Sequence, residues 1–173
     1  MHKILTLFCF LIMSCSSLQV IPEPTLDLVS VKSSSFCPTW NWHPFCVETK
    51  PNSIFFTGTL NNSTSEKRYY LEYFQDSFDT DIPIGIALKI DGTYYVLKKV
   101  STEYSYTMKL RSELSEEMIK NINSTNQSIS LSYSNRKSSI NFDFTMSETE
   151  KIKNNLRDMV EKINSIQKLK IIR

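Results

Sequence analysis

Ile84-Gly85-Ile86-Ala87-Leu88-Lys89-Ile90, Asp91-Gly92, then Thr93-Tyr94-Tyr95-Val96-Leu97-Lys98-Lys99-Val100 is the stretch on which the architecture turns. Two runs rich in β-branched and aromatic residues flank Asp-Gly, the pair that favours a type I′ turn because both central residues need positive φ. Ile84, Ile86, Leu88 and Ile90 fall on one face by alternation, and that face is expected to be buried. The hairpin makes the domain an antiparallel-sheet protein, and the neighbouring segments are read against it.

Upstream, residues 27–33, 53–60 and 66–75 have strand character, with Asn61-Asn62-Ser63-Thr64 as a turn between the last two. In the third, Tyr69, Leu71 and Tyr73 face one way and Tyr70, Glu72 and Phe74 the other. Downstream, Glu103–Leu110 continues the β pattern. Leu114, Met118 and Ile122 then recur four apart beside Ile119, which predicts a short helix over 112–123. Residues 127–134 and 139–145 alternate again around Asn135-Arg136-Lys137, a second hairpin. Ser147 and Glu150 have capping-box spacing ahead of Ile152, Leu156, Met159, Val160, Ile163 and Ile166, an apolar stripe suited to packing on a sheet. The tail 168–173 is basic and is expected to fray. The predicted class is α+β: a mostly antiparallel sheet, or curved β-sandwich, of about seven or eight strands, with one short helix and one longer C-terminal helix.

The chain opens differently. Met1-His2-Lys3 precedes an apolar run, Ile4–Met13, too short to span a bilayer and of the length of a signal-peptide core. Ile12, Met13, Ser14 and Cys15 follow the order of a lipobox, and here the chain resembles bacterial lipoproteins, in the relaxed form familiar in spirochaetes. The resemblance covers about fifteen residues. It implies cleavage before Cys15, lipid on that residue and attachment to a membrane. Ser16, in place of the Asp that retains many such proteins on the inner membrane, implies the outer membrane, with the periplasmic or outer face left open. An ordinary secretory signal cut after Ser16 is the alternative. The chain accordingly divides into a signal peptide at 1–14, a tether at 15–26 containing Pro22 and Pro24, and a single domain at 27–173.

Without residues 1–14 the chain has 159 residues, and 19 basic side chains face 18 acidic ones, a balance that argues against nucleic acid as partner. With three glycines in the chain, phosphate-cradling Gly motifs are absent, and no cofactor is expected. Cys37 and Cys46 are the pair left after Cys9 and Cys15 are assigned to the leader and the lipid, and in an exported chain they are expected to form a disulfide. Trp40, Trp42, His43 and Phe45 lie between them, and two readings stand: a displayed platform for a glycan or protein, or a plug folded over the core.

Cys37, His43 and Cys46 lack a fourth ligand nearby, so no metal is expected there. Asp76, Asp79 and Asp81 lack the Gly and Glu of a calcium loop and read as a solvated acidic turn. His43 is the only histidine after the leader, and G-x-S-x-G, H-E-x-x-H and C-x-x-C are absent, so no catalytic residue is assigned. The expected role is a non-enzymatic binding or structural one. A periplasmic accessory subunit is the second reading, and a small-ligand binder or hydrolase the third.

Overall fold

The computed structural model describes residues 18–38, 51–76 and 81–171. Ten strands and two helices form an α+β domain with two antiparallel sheets. In chain order the strands are β1 (Gln19–Glu23), β2 (Leu28–Lys32), β3 (Ile54–Asn61), β4 (Lys67–Asp76) and β5 (Pro83–Ile90). β6 (Thr93–Val96), β7 (Lys98–Tyr104) and β8 (Thr107–Leu114) follow, then helix α1 (Glu116–Ser124), β9 (Ser130–Asn135), β10 (Ser139–Asp143) and helix α2 (Met146–Ile171). The larger sheet runs β1-β2-β3-β4-β8-β7 and the smaller β10-β9-β5-β6.

The Asp91-Gly92 turn forms as read, with φ of 49° and 81°. Ile86, Leu88 and Ile90 are buried, but Ile84 is 62 % exposed. A bulge between Pro83 and Gly85 shifts the register against β9 and turns Ile84 outward. The second strand of this hairpin is also shorter than expected. It ends at Val96, and buried Leu97, whose N–H donates to the Ile86 carbonyl at 2.9 Å, marks a corner where the chain passes to the larger sheet. The strand expected over 103–110 is divided by a turn at Ser105-Tyr106, placing β7 beside β8.

The segment read as a tether holds an edge strand. Residues 19–23 pair with β2, and Pro22 is accommodated there because a strand edge leaves alternate N–H groups unbonded. Pro24–Leu26 then makes a single 3-10 turn, and Asp27, at φ 51°, reverses the chain.

Both helices begin away from their expected positions. β8 runs to Leu114, so α1 starts later than predicted, capped by Ser115 Oγ, which accepts from the Met118 N–H at 3.2 Å. The box that caps α2 is Thr145 with Glu148, not Ser147 with Glu150: Thr145 N–H donates to Glu148 Oε2 at 2.8 Å. α2 is helical through Ile171, and residues 172–173 of the basic tail lie outside the described residues.

The expected stripe of α2 packs on the larger sheet. Ile152, Leu156, Met159 and Ile163 join Val31, Ile54, Phe56 and Leu60 in one core with the inner residues of both sheets. At Gly58 helix and sheet approach closely, since a Cβ built there lies 2.5 Å from Met159 Sδ and 3.0 Å from Ile163 Cγ1. The larger sheet therefore has one inner face, covered by the second sheet and α2, and one outer face.

Gly58→Ala is expected to cost about 2 kcal/mol by overpacking. Urea unfolding reads this, and the loss is expected to shrink when Met159 is also shortened to Val.

Candidate functional site

The outer face of the larger sheet carries the chemistry. Register places Glu72 opposite Arg111 and Phe55, Phe74 opposite Lys109, and Tyr70 opposite Thr57. Arg111 reaches Glu72 Oε1 with Nη2 at 2.8 Å and Nε at 3.0 Å. Its guanidinium also stands 5.2 Å from the centre of the Tyr70 ring. Lys109 Nζ lies 3.7 Å from Glu72 Oε2 and 2.7 Å from Glu103 Oε2. The Glu72 side chain is fully buried, and its Oε2 accepts no hydrogen bond. One carboxylate thus sits inside the protein between two cations, an arrangement that holds only while both remain.

Beside this buried half the same face opens into a groove of about 390 Å³. Its walls come from four neighbouring strands and one more beyond: Glu23, Ser30, Thr59, Arg68, Tyr70 and Arg111. Ser30 Oγ donates to Glu23 Oε1 at 2.5 Å, and Arg68 Nε donates to Glu66 Oε1 at 2.8 Å. The bond from Glu66 holds the Arg68 guanidinium above its usual range. Asn61 Oδ1 is taken by the N–H groups of Ser63 at 2.9 Å and Thr64 at 2.8 Å. Arg68 and Arg111 are paired with Glu66 and Glu72, Glu23 is held by the Ser30 hydroxyl, and Leu26, Leu28, Thr59, Asn61 and Tyr70 line the rest. Such a surface suits a neutral, polar ligand better than a polyanion. A second depression of about 500 Å³ shares Glu66, Arg68 and Tyr70 and extends to Lys98, Glu113 and Glu116.

Of the residues singled out from sequence, Cys15, Trp40, Trp42, His43, Phe45 and Cys46 lie outside the described residues. Cys37 is within them, half-buried, directly after Phe36, which bridges to Ile54. Asp79 also lies outside the described residues. Asp81 Oδ1 accepts from the Ile82 N–H at 2.8 Å, and Oδ2 stands 3.8 Å from Lys137 Nζ. Among the described residues no three His, Cys, Asp or Glu side chains are grouped to hold a metal.

Glu72, Arg111 and Lys109 were not singled out by sequence. A Glu within an alternating strand reads as solvent-facing, and only the register reveals that Phe55, Arg111 and Lys109 join Phe74 beside it on that face. No protein-family model, no curated protein and no solved structure matches this chain.

Removing one member of this cluster leaves uncompensated charge. Glu72→Ala is expected to lose about 3 kcal/mol in urea unfolding, and Glu72→Leu combined with Arg111→Met to lose less. Equal losses in the two variants would contradict the burial of the pair.

Proposed function

We propose that the protein is a lipid-anchored envelope protein of a bacterium, attached through Cys15, with a non-enzymatic binding or structural role. The observation that carries this reading is the leader with its Ile12-Met13-Ser14-Cys15 sequence, together with where the domain starts. β1 begins at Gln19, four residues after Cys15, so a chain held by lipid at Cys15 keeps its first strand within about 15 Å of the bilayer surface at ~3.3 Å per residue. Among the described residues no helix is long and apolar enough to cross a membrane. The amphipathic α2 spends its apolar stripe on the sheet. The outer membrane is favoured by Ser16, and a bridge between Cys37 and Cys46 fits an exported chain.

The groove on the outer sheet face is the binding surface in this reading, and a glycan or a polar protein segment is the class of partner that its paired arginines, its hydroxyls and its Tyr70, Leu26 and Leu28 surfaces fit. The carboxylates Glu23 and Glu66 are each engaged by a neighbour, which favours binding over hydrolysis. A periplasmic accessory subunit keeps the same anchor and differs only in which side of the membrane the groove faces.

Growth of the source bacterium with a radioactive fatty acid is expected to label the protein and to leave Cys15→Ala unlabelled in the aqueous fraction. An unlabelled wild type, or label that persists in Cys15→Ala, overturns the anchor. Protease treatment of intact against permeabilised cells then separates surface from periplasmic exposure.

A further inference from the structure

The groove of about 390 Å³ and the depression of about 500 Å³ share Glu66, Arg68 and Tyr70, so one begins where the other ends. The groove starts on β1, at Glu23, and the depression reaches β7, at Lys98 and Lys99. β1 and β7 are the two edges of the larger sheet. Cross-strand pairing joins the residues between them. Glu23 stands opposite Leu28, and Leu28 opposite Asn61. In the next row Ser30 stands opposite Thr59, and Thr59 opposite Arg68. The row beyond carries Tyr70, Glu113 and Lys98. Five strand spacings of ~4.8 Å make a path of about 24 Å across the sheet. Arg68 and Glu66 stand at the junction of the two volumes, their side chains 58 % and 53 % exposed. An exposed ion pair is weakly held, so this ridge yields to a chain laid over it.

We propose that the two depressions are one cleft, open at both edges of the sheet, that holds an uncharged linear glycan by the interior of its chain. This rests on the reading of the groove as a binding surface and does not depend on the lipid anchor.

Charge along the path selects against a polyanion. Arg68 is paired with Glu66, Arg111 with Glu72 and Lys98 with Glu113, each within 3.1 Å. Lys67 Nζ donates to Asn164 Oδ1 at 2.7 Å, and Lys99 Nζ to the Pro83 carbonyl at 2.9 Å. Every cation that lines the cleft is thus engaged, and Glu23 and Glu116 add negative charge at its walls.

The donors that remain suit neutral oxygens. Both arginines are gripped through Nε, Arg68 by Glu66 Oε1 at 2.8 Å and Arg111 by Glu72 Oε1 at 3.0 Å. A guanidinium has five N–H donors in a planar fork, so each keeps donors of fixed direction for the hydroxyl, ether or amide oxygens of a sugar. Leu26 and Leu28 give the C–H face of a sugar ring an apolar surface to pack on. A peptide that binds a β protein by strand addition gains its affinity from main-chain pairing at a sheet edge. A path that crosses the strands on their face does not offer that pairing. With the lining running from edge to edge, the cleft accepts a chain that continues past both ends.

Isothermal titration of the purified protein with extended, β-linked glucose and N-acetylglucosamine oligomers, from disaccharide to hexasaccharide, tests this. Affinity is expected to rise about tenfold or more with length, as further units meet further parts of the cleft. Uronic-acid oligomers of the same lengths are expected to bind far more weakly. Thr59→Trp and Lys98→Trp, one in each half, are each expected to lower hexasaccharide affinity several-fold, with circular dichroism unchanged. Where Thr59→Trp disturbs the fold, Leu26→Asp replaces it in that half. Equal affinity for disaccharide and hexasaccharide, or sensitivity to one half alone, overturns the single cleft. Preference for the uronic-acid oligomers, or for an uncharged polar octapeptide, overturns the neutral glycan and leaves the groove a binding surface. Binding of none of these probes overturns both.

Discussion

Tyr73 lies against Tyr133 with ring centroids 4.8 Å apart and planes 25° apart, and at this stack the two sheets meet. Both residues are 0 % exposed, one at the middle of β4 and the other on β9. Phe142 closes the group, 6.4 Å from Tyr73. Beyond area burial, an aromatic pair of this kind contributes about 1 kcal/mol. Its larger effect is to fix which faces look inward. With Tyr73 inside, alternation places Leu71 and Tyr69 inside and Tyr70, Glu72 and Phe74 outside, so every outer-face feature is set by the same constraint.

The stack is also tied to the turn that leads into β3. Tyr73 donates its hydroxyl to Asn52 Oδ1 at 2.5 Å, while Asn52, at φ 64°, pairs its N–H with the next residue of β4, Phe74. One short turn therefore links the interior of the domain to the edge of its outer face. Glu72 lies between these contacts. Its burial between Arg111 and Lys109 is tolerable because the cross-strand register brings both cations onto the same face, one strand away. The groove beyond Tyr70 begins where this buried half ends.

Sequence made the fold class readable through features that act locally. Asp91-Gly92 demanded positive φ and adopts it, and the α2 stripe demanded an apolar partner and has one. Misreadings arose where the deciding partner was distant. Pro22 argued against a strand, yet an edge position beside β2 accepts it. Leu97 turns a corner without Gly or Pro because its apolar side chain enters the core and its N–H meets Ile86. Ile84 leaves the buried row because of a bulge that only pairing with β9 reveals. The groove draws its residues from strands far apart in the chain, and no spacing rule joins Glu23, Thr59, Tyr70 and Arg111.

The claim that the two sheets close over a dry interior is tested most directly by alkaline titration of the eight tyrosines, followed by ultraviolet absorbance and circular dichroism together. Burial raises Tyr69, Tyr73 and Tyr133 above the ordinary value of 10.0, with Glu116 adding to the effect at Tyr69 and Tyr133 at Tyr73. Unfolded chains release these protons first, so the three phenols leave stability unchanged below about pH 10 and reduce it as pH rises further. The account predicts two populations: exposed tyrosines that ionise reversibly with the fold intact, and a later group that ionises only as the circular dichroism signal is lost. A single reversible step for all eight, with the fold intact throughout, would contradict it.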